Sequence, residues 1–156
     1  MISPSLALAL ALALVLPIQA AQNLEGDSLR VFYDDQGNWI SETDGACIQA
    51  MMAGEWTEFA YWGSPFQRFQ LSYSTGGESA FAVANSNDSD DITVVAETDA
   101  SSGAEITSVY DYTHGPLSIS KTESWAATGA VMLVHFEVTN DGAEDVADLV
   151  LTFEFD

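Results

Sequence analysis

The sequence predicts an all-β fold, a mostly antiparallel two-layer β-sandwich of about nine strands preceded by a signal peptide. Three observations carry that expectation. Apolar and polar residues alternate in short runs, which puts every second side chain on one face of a strand. Clusters of Gly, Asn, Asp and Ser separate these runs at turn spacing. Long helical patterns alternating with the strands are lacking, which favours two antiparallel layers over an α/β arrangement.

The elements follow in chain order. Residues 1–20, MISPSLALALALALVLPIQA, hold an uncharged apolar core from Leu6 to Leu16, then the helix-breaking Pro17, then Ile18-Gln19-Ala20 as a cleavage site. The segment before the core has no Lys or Arg, so the amino terminus alone supplies its positive charge. The run is shorter than the roughly twenty apolar residues of a membrane span, and no second such run follows. Export to the periplasm, the cell surface or the medium is therefore expected, with no membrane span. Residues 21–156 are enough for one domain with a real core and too few for two ordinary ones.

Within that domain, strands are expected over residues 29–33, 56–62, 66–73, 80–84, 92–97, 105–112 and 117–125. Turn chemistry lies between them, as in Asp35-Gln36-Gly37-Asn38, Ser74-Thr75-Gly76-Gly77, Ser101-Ser102-Gly103 and His114-Gly115-Pro116. Residues 46–53, rich in Ala and Met, are compatible with a short helix or a buried strand. The clearest alternation runs over residues 131–139, with Met132, Val134, Phe136 and Val138 on one face and Val131, Leu133, His135, Glu137 and Thr139 on the other. A polar loop over residues 140–145 leads to a last run in which Ala147, Leu149, Leu151, Phe153 and Phe155 should share the core face.

The segment VMLVHFEVTNDGAEDVADLVLTFEFD, residues 131–156, resembles the strand, Asn-x-Gly loop, strand pattern of bacterial extracellular immunoglobulin-like and related β-sandwich domains. It is also similar to late strands of the sandwich domains that precede the catalytic part of some secreted carbohydrate-active enzymes. The resemblance implies an extracellular sandwich and transfers no functional residue. The last alternation ends abruptly at Asp156, so two expectations stand: the final strand is simply the terminus, or, slightly favoured, the chain is the front portion of a longer exported protein.

Charge narrows the partners. The chain has 24 acidic residues against three basic ones, Arg30, Arg68 and Lys121, for a net charge of −21, and none of these lies in the leader. Such a surface repels phosphate backbones and anionic lipid heads, so nucleic acid is not an expected partner. Self-repulsion of this size is relieved by salt or by divalent cations. Cys47 is the only cysteine, which rules out an intrachain disulfide, and it stands too far from the cleavage point to carry a lipid anchor. It reads as a small buried apolar residue.

Two groups of residues are candidates for binding. The acidic loop Asn85-Ser86-Asn87-Asp88-Ser89-Asp90-Asp91 sets Asp88, Asp90 and Asp91 among oxygen donors suited to calcium, although it departs from the EF-hand pattern. Asn140, Asp141, Glu144 and Asp145 form a weaker group of the same kind. Trp56, Tyr61 and Trp62 head an aromatic cluster that, if exposed beside carboxylates, would stack on sugar rings, and otherwise fills the core. Trp39 and Trp125 are expected as core anchors whose indole N–H groups need partners.

His114 and His135 lack the spacing of a zinc site, and neither a nucleophile elbow nor a phosphate-binding Gly loop is present. With 24 acids, no carboxylate pair singles itself out. The expected function is a non-catalytic surface, matrix or assembly module, with divalent cations such as calcium as candidate stabilisers and other copies of itself as partners through sheet edges. The alternatives are a carbohydrate-binding or accessory sandwich domain, and the front of a secreted hydrolase whose active site lies beyond residue 156.

Overall fold

A computed structural model describes residues 23–33, 36–39, 46–61, 67–84 and 91–155. Residues 1–20, expected as a signal peptide, lie outside the described residues together with Trp62, Asp88 and Asp90, as do the side chains of Cys47 and Tyr61. Among the described residues the chain is all-β, with eleven strands: β1 (Asn23–Glu25), β2 (Leu29–Phe32), β3 (Ala46–Met52), β4 (Glu55–Tyr61), β5 (Gln67–Thr75), β6 (Glu78–Ala84), β7 (Thr93–Asp99), β8 (Glu105–His114), β9 (Leu117–Ala126), β10 (Leu133–Asn140) and β11 (Val146–Phe155). The two beyond the nine expected are β1 and β3. The Ala- and Met-rich stretch is thus a strand, because β2 and β4 flank it with ladder partners that a short helix would forgo.

All strand pairs are antiparallel, and they form three sheets: β1-β2-β3-β4, β10-β9-β8-β7 and β11-β5-β6, here called sheets I, II and III. Sheet II is the common floor. Sheet III packs on part of it through aromatic contacts, with ring centroids 5.1 Å apart for Phe69–Tyr112, 5.2 Å for Phe69–Phe136 and 5.6 Å for Phe136–Phe153. Sheet I covers another part, where Tyr33 meets Tyr110 at 5.7 Å and the Asp27 amide donates to the Ala127 carbonyl at 2.6 Å. The core expected between two sandwich layers is therefore present, with one layer shared between sheets I and III.

The alternation in β10 holds residue by residue: Val134, Phe136 and Val138 are half-buried against the core, whereas Leu133, His135, Glu137 and Thr139 are exposed. In β11 it holds for half the strand only. Ala147 is aligned with Ser74 but Val150 with Ser72, so one extra residue is accommodated, and Asp148 takes up the kink at φ 55°. A bulge reverses the faces on either side of it. Val146 packs on the core before it and Leu151 and Phe153 after it, which leaves Ala147 and Leu149 exposed, contrary to the expectation of uninterrupted alternation.

Candidate functional site

The inward face of β9 carries Leu117, Ile119, Lys121, Glu123 and Trp125, all buried. Lys121 is the only lysine in the chain, and it lies in the protein interior at 1% side-chain exposure with Glu123 at 0%. Its Nζ is 3.0 Å from Glu123 Oε1, lies 5.3 Å from the centroid of the Tyr110 ring and donates to the Gly37 carbonyl. The other carboxylate oxygen, Oε2, accepts from Trp39 Nε1 at 2.7 Å. A charge taken out of water costs several kcal/mol unless paired and hydrogen-bonded, and this arrangement does both.

The segment that supplies Gly37 and Trp39 forms an arm over sheet II, closed by a bridge between Tyr33 and Trp39. Tyr112 donates from its hydroxyl to the Gln36 carbonyl at 3.0 Å, and Gly37 sits so close to the Tyr110 ring that a Cβ would lie 2.5 Å from it. Burial, reinforced by the neighbouring Glu123 carboxylate, holds the Tyr33 hydroxyl well above the ordinary tyrosine pKa. That hydroxyl, Ser108 Oγ and Trp125 Nε1 are buried without a hydrogen bond. Trp39 and Trp125 are core anchors as expected, but only Trp39 has the partner its indole requires. The cluster is an internal clasp that fastens the arm to sheet II.

The two arginines are paired as well. Arg30 is the cross-strand partner of Glu25 at 3.5 Å, and Arg68 pairs with Glu154 across β5 and β11. All three cations of this acidic chain are thus matched to carboxylates, and none is left over to attract an anionic ligand.

Trp56 is half-buried on the outer face of sheet I. The Arg30 guanidinium lies 4.7 Å from its ring centroid and 5.4 Å from that of Phe32, while Arg30 Nε donates to Gln49. A sugar-stacking role would need the face that Arg30 occupies, or the opposite one. Asp91 is exposed beside the buried Ile92. In the second acidic group, Asn140 uses its side chain on the loop itself, accepting from the Gly142 amide and donating to the Glu144 carbonyl, and Asp141 accepts from Ser118. Among the described residues, no cluster of carboxylates, histidines or cysteines has metal-binding geometry. His114 is bonded through Nδ1 to the Tyr73 hydroxyl at 3.0 Å, and His135 stands exposed.

The chain matches no protein-family model, no curated protein and no solved structure. Its surface must therefore be read from its own residues. Among the described residues, no helix is long and apolar enough to cross a membrane.

Two depressions are shallow or small. One of about 240 Å³ on the outer face of sheet II is edged by Asp111, Ser118, Ser120, Glu137 and Thr139, and the other, about 210 Å³, is an apolar cleft between Trp39, Ile48 and Met132. The more unusual surface is the outer face of sheet III. Ladder register aligns Val150, Ser72 and Phe81 in one row across its three strands, with Val150 54% and Phe81 60% exposed. Leu149, turned outward at the bulge, adds to it. Of the charges on this face, Arg68 and Glu154 pair, with Gln70 donating to the same carboxylate at 3.2 Å, and the Asp148 carboxylate accepts from Ser74 Oγ at 3.3 Å one row away. An exposed apolar row with no charge of its own, on a chain of net charge −21, is suited to a contact surface.

The sequence reading missed both features, although it held signals for each. The period of two in Leu117-Ser118-Ile119-Ser120-Lys121-Thr122-Glu123-Ser124-Trp125 already puts Lys121 and Glu123 on the apolar face. In Glu78-Ser79-Ala80-Phe81-Ala82-Val83-Ala84, no charge follows the first residue.

Proposed function

We propose that this protein is an exported, non-catalytic β-sandwich module that works by contact, as a component of a surface or matrix assembly. The observation that supports this reading is the aligned Val150–Ser72–Phe81 row, itself uncharged, with Val150 and Phe81 exposed on the outer face of sheet III. Scattered exposed apolar residues need no explanation, but a row shared by three strands and carrying no charge of its own points to burial against another surface. The polar machinery of the interior serves the fold: Lys121 and Glu123 hold the arm of residues 36–39 and lie out of reach of any substrate.

The test is fractionation of source cells expressing the tagged full chain or its Phe81→Ser, Val150→Ser double variant. The wild-type protein should sediment with the envelope or extracellular matrix and the variant should remain in the soluble fraction. Equal distribution of the two would reject the contact role of this face.

A further inference from the structure

Resting on that contact reading, we infer that the partner at sheet III is a second copy of this chain, joined edge to edge through β6 to make a continuous six-stranded sheet. Exposed edge strands are templates for pairing with another chain, and folded proteins ordinarily protect them with bulges, charges or shortness. The described edges of this protein follow that rule with one exception. β1 has three residues, β4 carries Glu55 and Glu58 along a ladder with register shifts, β7 has a shift next to Val94 and carries Glu97, β10 carries His135 and Glu137, and β11 has the bulge at Asp148. β6 has none of these protections. It runs seven residues in unbroken register with β5, and its only charge is Glu78 at its first position.

The chemistry of a matching partner strand is thereby specified: short, uncharged in its interior, with small residues inward and apolar ones outward. β6 meets this description itself. Ala80, Ala82 and Ala84 point to the core and Phe81 and Val83 to the outside, and Phe81 stands at the midpoint of the strand. An antiparallel pair of β6 strands about a two-fold axis at Phe81 therefore sets Phe81 against Phe81 of the partner subunit and Ala80 against Ala82 of the partner subunit. The two Glu78 carboxylates fall at opposite ends, roughly 20 Å apart at strand rise, which is beyond the screening length of physiological salt. Between two chains of charge −21, this is a contact free of facing acids at its centre. The apolar row of each copy then joins its counterpart through the Phe81 pair, a favourable cross-strand aromatic contact. Isologous two-fold association closes on itself and leaves β11, with its bulge, as the outer edge of the joined sheet.

The experiment is sedimentation equilibrium of the purified full chain across the micromolar range at low and moderate salt. The expected result is a reversible dimer that strengthens as salt rises, because screening weakens the repulsion between the two anionic bodies. Phe81→Lys, at an exposed position where folding is checked by circular dichroism, should weaken the dimer at least tenfold. In a second measurement, Phe81→Cys should give a disulfide-linked dimer on mild oxidation far faster than Glu78→Cys or the wild-type chain. A monomer at all concentrations, a dimer indifferent to Phe81→Lys, or equal cross-linking from both cysteine positions would each overturn the inference. A monomer that still sediments with the envelope through Phe81 and Val150 would reject the dimer and leave the contact role standing.

Discussion

Lys121 and Glu123, two residues apart on the inward face of β9, form a buried ion pair in which Nζ lies 3.0 Å from Oε1. The pair does its work through what it holds. Lys121 binds the Gly37 carbonyl and Glu123 the Trp39 indole, so both ions grip the same arm. Removing one partner leaves the other charge buried without its counter-ion, and Lys121→Met is expected to cost about 3–5 kcal/mol in urea denaturation. Lys121→Met combined with Glu123→Leu should cost much less than the sum of the single changes, since no orphaned charge remains. Additive losses would show that the two side chains act independently.

The Tyr33 hydroxyl makes the interior sensitive to alkali. Its pKa is raised by burial first and by Glu123 second, so in the folded chain it stays protonated where a free tyrosine ionises. Below about pH 10 the group is protonated in both states and contributes no pH dependence. Above that value the unfolded chain loses its proton first, and stability falls as pH rises toward the folded-state pKa. Tyr33→Phe should leave stability near neutrality within about 1 kcal/mol, because the hydroxyl has no hydrogen bond to lose, and should shallow the decline above pH 10. Denaturant melts from neutral to strongly alkaline pH measure both effects, and an unchanged alkaline slope would contradict the assignment.

Two glycines separate backbone strain from steric exclusion. Gly37 has φ 74° and faces Tyr110, where a Cβ would stand 2.5 Å from the ring, whereas Gly77 has φ 84° with nothing within 4 Å. Gly77→Ala should cost about 1–2 kcal/mol, the price of a left-handed conformation alone. Gly37→Ala adds overpacking of about 1–3 kcal/mol and should also disturb Tyr110 and the arm it supports. Equal thermal shifts for the two variants would show that the arm moves aside freely.

Charge predicts a strong response to salt. With every basic residue paired and a net charge of −21, the dominant long-range term is repulsion among acids. Raising sodium chloride from low to moderate concentration should raise Tm, because screening relieves that repulsion while the buried Lys121–Glu123 pair is scarcely screened. Calcium compared with sodium at equal ionic strength then distinguishes a cation site at the loop containing Asp88, Asp90 and Asp91 from general screening. An equal rise with both salts would leave screening as the whole effect.

Local pattern made much of the fold legible. Alternation in residues 131–139 was sufficient to assign both faces of β10, and Gly-, Asn- and Ser-rich turns marked most strand boundaries, because strand geometry repeats every two residues whatever the neighbours are. The same rule misplaced Ala147 and Leu149. Nothing in a period-two reading announces that Asp148 will adopt φ 55° and consume one residue, since that depends on the ladder with Ser74 and Ser72. β3 was ambiguous for a related reason, its Ala and Met residues having no strong strand preference until β2 and β4 pair with it.

By itself the sequence determined class and charge: an all-β chain, strongly acidic, with three cations and one cysteine, none of which requires knowing what touches what. Only the tertiary structure decided how those few cations are used and where apolar surface remains. Lys121 is harmless inside because Glu123 on its own strand, Tyr110 across the β8–β9 hairpin and Gly37 from the distant arm converge on it, and Phe81 is conspicuous outside because β5 aligns it with Ser72 and β11 extends the row to Val150. Both depend on long-range pairing and register, and an electrostatic or apolar contact acquires its meaning only from the distance and burial that such pairing fixes.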